Sequence, residues 1–112
     1  MSICIPEDWR EAIAPILHQG LDGTIQMPRE ARRRWLNLDT KHYDQALYSL
    51  LAHELEKSGP LYGKKHNMNE EGECYSFSFR YHPPSANGEI DLYTKLNLLP
   101  DGQVVIIYSA HT

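Results

Sequence analysis

The sequence predicts one α+β domain over residues 1–112, with helices in its first half and a roughly four-stranded antiparallel sheet in its second, packed on the long helix. Two observations predict this order. Before Gly59-Pro60, apolar residues recur at spacings of three and four; after it, they alternate with polar residues. Proline, glycine and aspartate pairs fall between these stretches, where turns are needed.

The elements follow in order. Pro6, Glu7 and Asp8 make a helix start, since proline suits the first turn and carboxylates suit the positive end of the helix dipole. Trp9, Ile13, Ile16 and Leu17 give that helix an apolar face; Pro15 is expected to kink or interrupt it, and Gly20 to stop it. Asp22-Gly23 marks a turn, and Pro28 opens a second short helix that carries Arg29, Arg32, Arg33 and Arg34 and ends near Trp35 and Leu36. Asp39 or Thr40 is the expected N-cap of the long helix. Its stripe is Tyr43, Ala46, Leu47, Leu50, Leu51 and Leu55, and Gly59-Pro60 ends it.

Residues 61–67 are the first expected strand, and 69–72 a turn. Residues 74–82 alternate, with Tyr75, Phe77, Phe79 and Tyr81 on one face and Ser76, Ser78, Arg80 and His82 on the other. Pro83-Pro84 stops this strand, and 85–88 is a loop. Residues 89–99 set Ile90, Leu92, Leu96 and Leu98 against Asp91, Tyr93, Lys95 and Asn97. Pro100-Asp101-Gly102 turns the chain into a last strand, 103–111, whose apolar run Val104-Val105-Ile106-Ile107 suggests burial on both faces.

Composition narrows the function classes. A net charge of −4 argues against a generic nucleic-acid binder, although Arg29, Arg32, Arg33 and Arg34 form one basic cluster and Lys64, Lys65 and His66 another. Cys4 and Cys74 belong to no paired-cysteine motif and read as plain thiols. No apolar run approaches the ~20 residues that span a bilayer, and the first residues show no secretory pattern, so a cytoplasmic chain without membrane partners is expected. No nucleotide-binding glycine loop, serine nucleophile elbow or zinc-protease motif occurs. No internal repeat is apparent.

The polar strand faces hold the residues fit for chemistry: Arg80 and His82, then Tyr93 and Lys95, then Ser109 and His111, with Lys64, Lys65 and His66 nearby. Cations stabilise a pentavalent phosphorus that gains negative charge, imidazoles move protons near neutral pH, and a phenol positions a group or stacks on a base. Such a set suits cofactor-free and metal-free cleavage of RNA, in which the ribose 2′-hydroxyl attacks the adjacent phosphate. Ser76 and Ser78 read as structural, the phenylalanines as core, and the arginine cluster as a solvated helix face.

Taken together, Leu92-Tyr93-Thr94-Lys95-Leu96, the ending Ser109-Ala110-His111 and the strand end Tyr81-His82-Pro83 resemble the MqsR group of toxin endoribonucleases, within the wider RelE-like fold. The group carries a Tyr-x-Lys strand and a last strand ending in Ser-x-Lys or Ser-x-His. The resemblance implies a messenger-RNA endoribonuclease silenced by a cognate antitoxin. Lys95 would stabilise the phosphorane, His111 would act as general acid or base, and Tyr93 would orient the phosphate or stack a base. Arg80, or the Lys64, Lys65 and His66 cluster, would complete the site, with His82 on the RNA. Ser78 stands where the group has a catalytic glutamine. The competing expectation is a non-catalytic interaction module, such as an immunity or adaptor protein, whose acidic surface meets a basic partner.

Overall fold

In the computed structural model, residues 2–21, 23–67 and 72–111 are described, the last five of these as backbone alone. The chain runs β1 (Ile3–Cys4), α1 (Glu7–Gln19), β2 (Ile25–Gln26), α2 (Arg29–Leu38), α3 (Asp44–Glu56), β3 (Tyr62–His66), β4 (Glu73–Tyr81), β5 (Ile90–Leu98) and β6 (Val104–His111). The α+β class holds. The sheet, however, has six strands in the order β1-β3-β4-β5-β6-β2, and it is mixed, because β2 lies parallel to β6. The two strands missing from the sequence-based count are two residues long, too short to show alternation.

The helices cover one face. Ile5, Trp9, Ile13 and Leu17 from the N-terminal segment, Ala31 and Trp35 from α2, and Leu47, Leu51 and Leu55 from α3 are buried together with Tyr75, Phe77, Leu92, Leu96, Val104 and Ile106 from the sheet. The predicted alternation therefore selects the correct inner face. The inner row is not wholly apolar: Thr94 is buried among these residues with its hydroxyl unpaired. The expectation for the last strand holds on the inner side only, since Val104 and Ile106 are buried but Val105 is half-exposed.

Three local expectations change. Pro15 sits inside α1 without ending it. It lies on the exposed side of the helix, where the Glu11 carbonyl that loses its partner can face water. Residue 39 does not cap α3, which begins at Asp44 after Tyr43. Instead the Asp39 carboxylate accepts the Lys41 N–H at 2.9 Å, the Ser85 N–H at 2.7 Å and the Ser85 hydroxyl at 3.1 Å, tying the α2–α3 turn to the loop after β4. Those hydrogen bonds, led by the one from Lys41, hold its carboxyl below the ordinary carboxylate range. Gly20 ends α1 as expected, in the left-handed region at φ 58°. The turn at 69–72 lies outside the described residues except for Gly72, as does Asp22 of the first turn.

Two polar devices lock the layers. Arg10 is only 6% exposed, and its guanidinium donates to the carbonyls of Leu55, Lys57 and Gly59 at 2.9, 2.9 and 3.0 Å, closing the end of α3 against α1. His42, stacked on Trp35 with ring centroids 3.6 Å apart, donates its Nδ1–H to the Trp35 carbonyl at 2.9 Å. That bond leaves Nε2 to meet the Tyr81 hydroxyl at 2.8 Å.

Candidate functional site

The outer face of the sheet carries no helix, and its side chains are those that alternate with the core residues. Register sorts them into rows. Lys64 on β3 lies opposite Ser76 on β4, which lies opposite Lys95 on β5, which lies opposite Ile107 on β6. The next row is His66, Cys74, Asn97 and Val105. On the other side come Ser78, Tyr93 and Ser109, then Arg80, Asp91 and His111.

Cys74, Ser76 and Asn97 are buried although they belong to this outer face, and the ground they share with His66 and Lys95 is called the recess. In this recess the His66 Nε2 meets the Ser76 hydroxyl at 2.7 Å. Burial, then the charges of Lys95 and Lys64, hold the His66 imidazole below its ordinary value and favour the neutral ring. Burial pushes the Cys74 thiol up, against the opposing pull of Lys95. Lys95 is half-buried and, like Lys64, has no ion-pair or hydrogen-bond partner among the described residues. The Asn97 Oδ1 is likewise buried without a partner, beside Gly72. An imidazole pushed toward its neutral form, beside two ammonium groups that lack partners among the described residues and with no carboxylate in either row, is a place for an anion and for proton transfer beside it.

The candidate residues from the sequence separate on this map. Tyr93, Lys95, Lys64, His66 and Arg80 share the outer face, as alternation requires. Lys65 does not: it lies opposite the core residue Tyr75, and its exposure comes from the short, outlying position of β3. Arg80 is neutralised by Asp91 at 3.0 Å, and that carboxylate keeps the guanidinium firmly charged. His82 lies past the end of β4, where its Nε2 donates to the Ala86 carbonyl at 2.8 Å and braces the loop. The backbone of His111 is opposite Asp91, four residues along β5 from Lys95, or ~14 Å at strand rise. Among the described side chains, the imidazole that feels the charge of Lys95 is that of His66.

Ser76, set aside from sequence as structural, contacts the imidazole directly. Only register reveals this, because the two are ten residues apart on different strands. Among the described residues, no three His, Cys, Asp or Glu side chains gather as a metal site, and no helix is long and apolar enough to cross a membrane. No family model, curated protein or solved structure matches the chain.

Proposed function

We propose that the chain is an RNA endoribonuclease of the metal-independent, RelE-like kind, acting from the recess at His66 and Lys95. What supports this is one observation above the rest: a half-buried lysine, without a partner among the described residues, near an imidazole pushed toward its neutral form. Neutral His66 takes the proton of the ribose 2′-hydroxyl. The freed oxygen attacks the adjacent phosphorus, and Lys95 offsets the charge that grows on the non-bridging oxygens. The bond to the 5′-oxygen breaks, that oxygen takes a proton from solvent water, and a 2′,3′-cyclic phosphate remains.

On this account the meander β3–β6 is the RelE-like part of the sheet. The RNA is cytoplasmic messenger, and the cognate antitoxin is a protein that covers the recess. The His111 role that the resemblance implies moves to His66.

The test is cleavage of end-labelled messenger RNA by the purified protein in excess EDTA. Cyclic-phosphate ends are expected. Lys95→Met and His66→Gln should each slow cleavage by about a hundredfold or more, the usual scale for lost charge stabilisation or general-base catalysis. His111→Ala should cost less than His66→Gln. Absence of cleavage, or full activity in Lys95→Met, would return the chain to the non-catalytic interaction class.

A further inference from the structure

The tetrapeptide Leu-Tyr-x-Lys occurs twice, as Leu61-Tyr62-Gly63-Lys64 and as Leu92-Tyr93-Thr94-Lys95. The first copy enters β3 and the second lies within β5. Both strands are antiparallel to β4, so they run in the same direction. Register sets Lys64 and Lys95 in one row on either side of Ser76. The two lysines are thus in register, and each follows its tyrosine by two residues along a strand, with Tyr62 paired to Cys4 of β1 on its far side. The strands are ~10 Å apart, and tyrosine and lysine ~7 Å apart along each.

The first tyrosine faces outward for a reason that can be traced. Gly63 is buried between exposed neighbours, and an added Cβ there would overlap the backbone carbonyl oxygen of Ser76 and meet the side chain of core residue Ile5 at 2.9 Å. Tyr62 and Lys64, on either side of Gly63, therefore face the opposite way, onto the recess face. Tyr62 is 60% exposed, which leaves its ring open to a ligand. Ser78, which borders Tyr93 on β4, is a small exposed residue, so the ring is not crowded from that strand.

We infer that these two aligned Tyr-x-Lys units form a two-nucleotide platform for an unpaired strand, in which Tyr62 and Tyr93 each stack a base and Lys64 and Lys95 each hold a phosphate. Charge favours this occupant over a protein. Among the described residues both lysines lack partners, and the nearest carboxylate on the face, Asp91, is already taken by Arg80. Aromatic faces accept any base, and a row of cations tracks the phosphates, which is how sheet surfaces hold single strands. A duplex presents no exposed base faces to such rings. The platform rests on the nuclease site proposed above, yet it adds a second subsite, Tyr62 with Lys64, which binding alone can reveal.

The experiment is fluorescence anisotropy with a labelled, 2′-O-methylated single-stranded oligonucleotide, which cannot be cleaved by 2′-oxygen attack, and with its duplex and an equivalent DNA strand. The single strands should bind more tightly than the duplex. Tyr62→Ala and Tyr93→Ala should each weaken binding about tenfold, within the range for one lost base stack, while Tyr62→Phe retains it. Lys64→Met and Lys95→Met should each lower the slope of log affinity against log salt by about 0.7, one phosphate contact apiece. Circular dichroism checks that Tyr62→Ala, altered at an exposed ring, remains folded. Equal binding of duplex and single strand, wild-type affinity in folded Tyr62→Ala, or no binding at all would overturn the platform; the last would leave the face to a protein partner. The two proposals fail separately. Tyr62-dependent binding with unmodified RNA left intact removes the nuclease and keeps the platform, whereas cleavage indifferent to Tyr62→Ala does the reverse.

Discussion

Arg10→Ala should be the most damaging single truncation outside the apolar core. The end of α3 leaves carbonyl groups with no partner within the helix. Three carbonyls there, those of Leu55, Lys57 and Gly59, point at one buried guanidinium. A hydrogen bond to a charged group contributes ~1.5–3 kcal/mol, so three independent bonds would exceed 4 kcal/mol. They are not independent. Arg10 lines an open groove of about 430 Å³ between α1 and the end of α3, so water can reach some of the vacated carbonyls after truncation. The expected loss is therefore about 3 kcal/mol, between one bond and the full set. For a domain of this size each kcal/mol lowers Tm by roughly 4 °C, so a fall of about 12 °C is expected. Thermal unfolding followed by circular dichroism, with urea titration alongside, measures it. Arg10→Lys keeps a charge but offers one ammonium where a planar fork was needed, and should recover less than half of the loss. A fall under about 4 °C in Arg10→Ala, the scale of a single neutral bond, would refute the idea that this residue joins the two helices.

Two further outcomes follow from the recess. The folded His66 value lies below the ordinary 6.5, so between the two values the unfolded chain binds a proton that the folded chain refuses. Stability should therefore fall as pH drops through that window and level off below it. NMR titration of Lys95→Met should show the His66 midpoint rising toward its ordinary value, and an unmoved midpoint would mean that the lysine does not act on the ring. Cys4 is exposed whereas Cys74 is buried with its thiol pushed up, so a thiol reagent at mild alkaline pH should modify one site quickly and the second only on unfolding. Mass spectrometry with peptide mapping reads this, and rapid modification at Cys74 would mean the recess is open.

The parts of the fold that are visible in the sequence are those governed by short-range rules. Alternation places Tyr75 and Phe77 inward and Tyr93 and Lys95 outward, because successive strand residues must point to opposite sides. The stripe of α3 appears for the same reason at helical period, with its true start at Asp44. The hidden parts depend on distant partners. Arg10 resembles any surface arginine of an amphipathic helix until the end of α3, about 45 residues later, is laid against it. Asp39 resembles a helix cap, and only the position of Ser85 shows where its acceptor capacity goes. Strands β1 and β2 exist because β3 and β6 offer them an edge, and no two-residue pattern can announce that.

The row that joins Lys64, Ser76 and Lys95 is different in kind, because strand register already decides it. A tight turn centred on Asp101 pairs Leu98 with Val104, and stepping outward pairs Lys95 with Ile107 and carries His111 as far as Asp91. The antiparallel pairing of β3 with β4 brings Lys64 against Ser76 and His66 against Cys74. The β4–β5 hairpin, centred between Ser85 and Ala86, sets Ser76 against Lys95 and closes the row. A slip of one residue in either of the last two pairings would turn one member of the row toward the core, at the cost of burying a lysine. The apolar inner face forbids that slip, and in doing so it fixes the charges of the outer face in place. The packing of Phe77 and Leu96 beneath the sheet is thus the physical reason that two lysines and an imidazole share one recess above it.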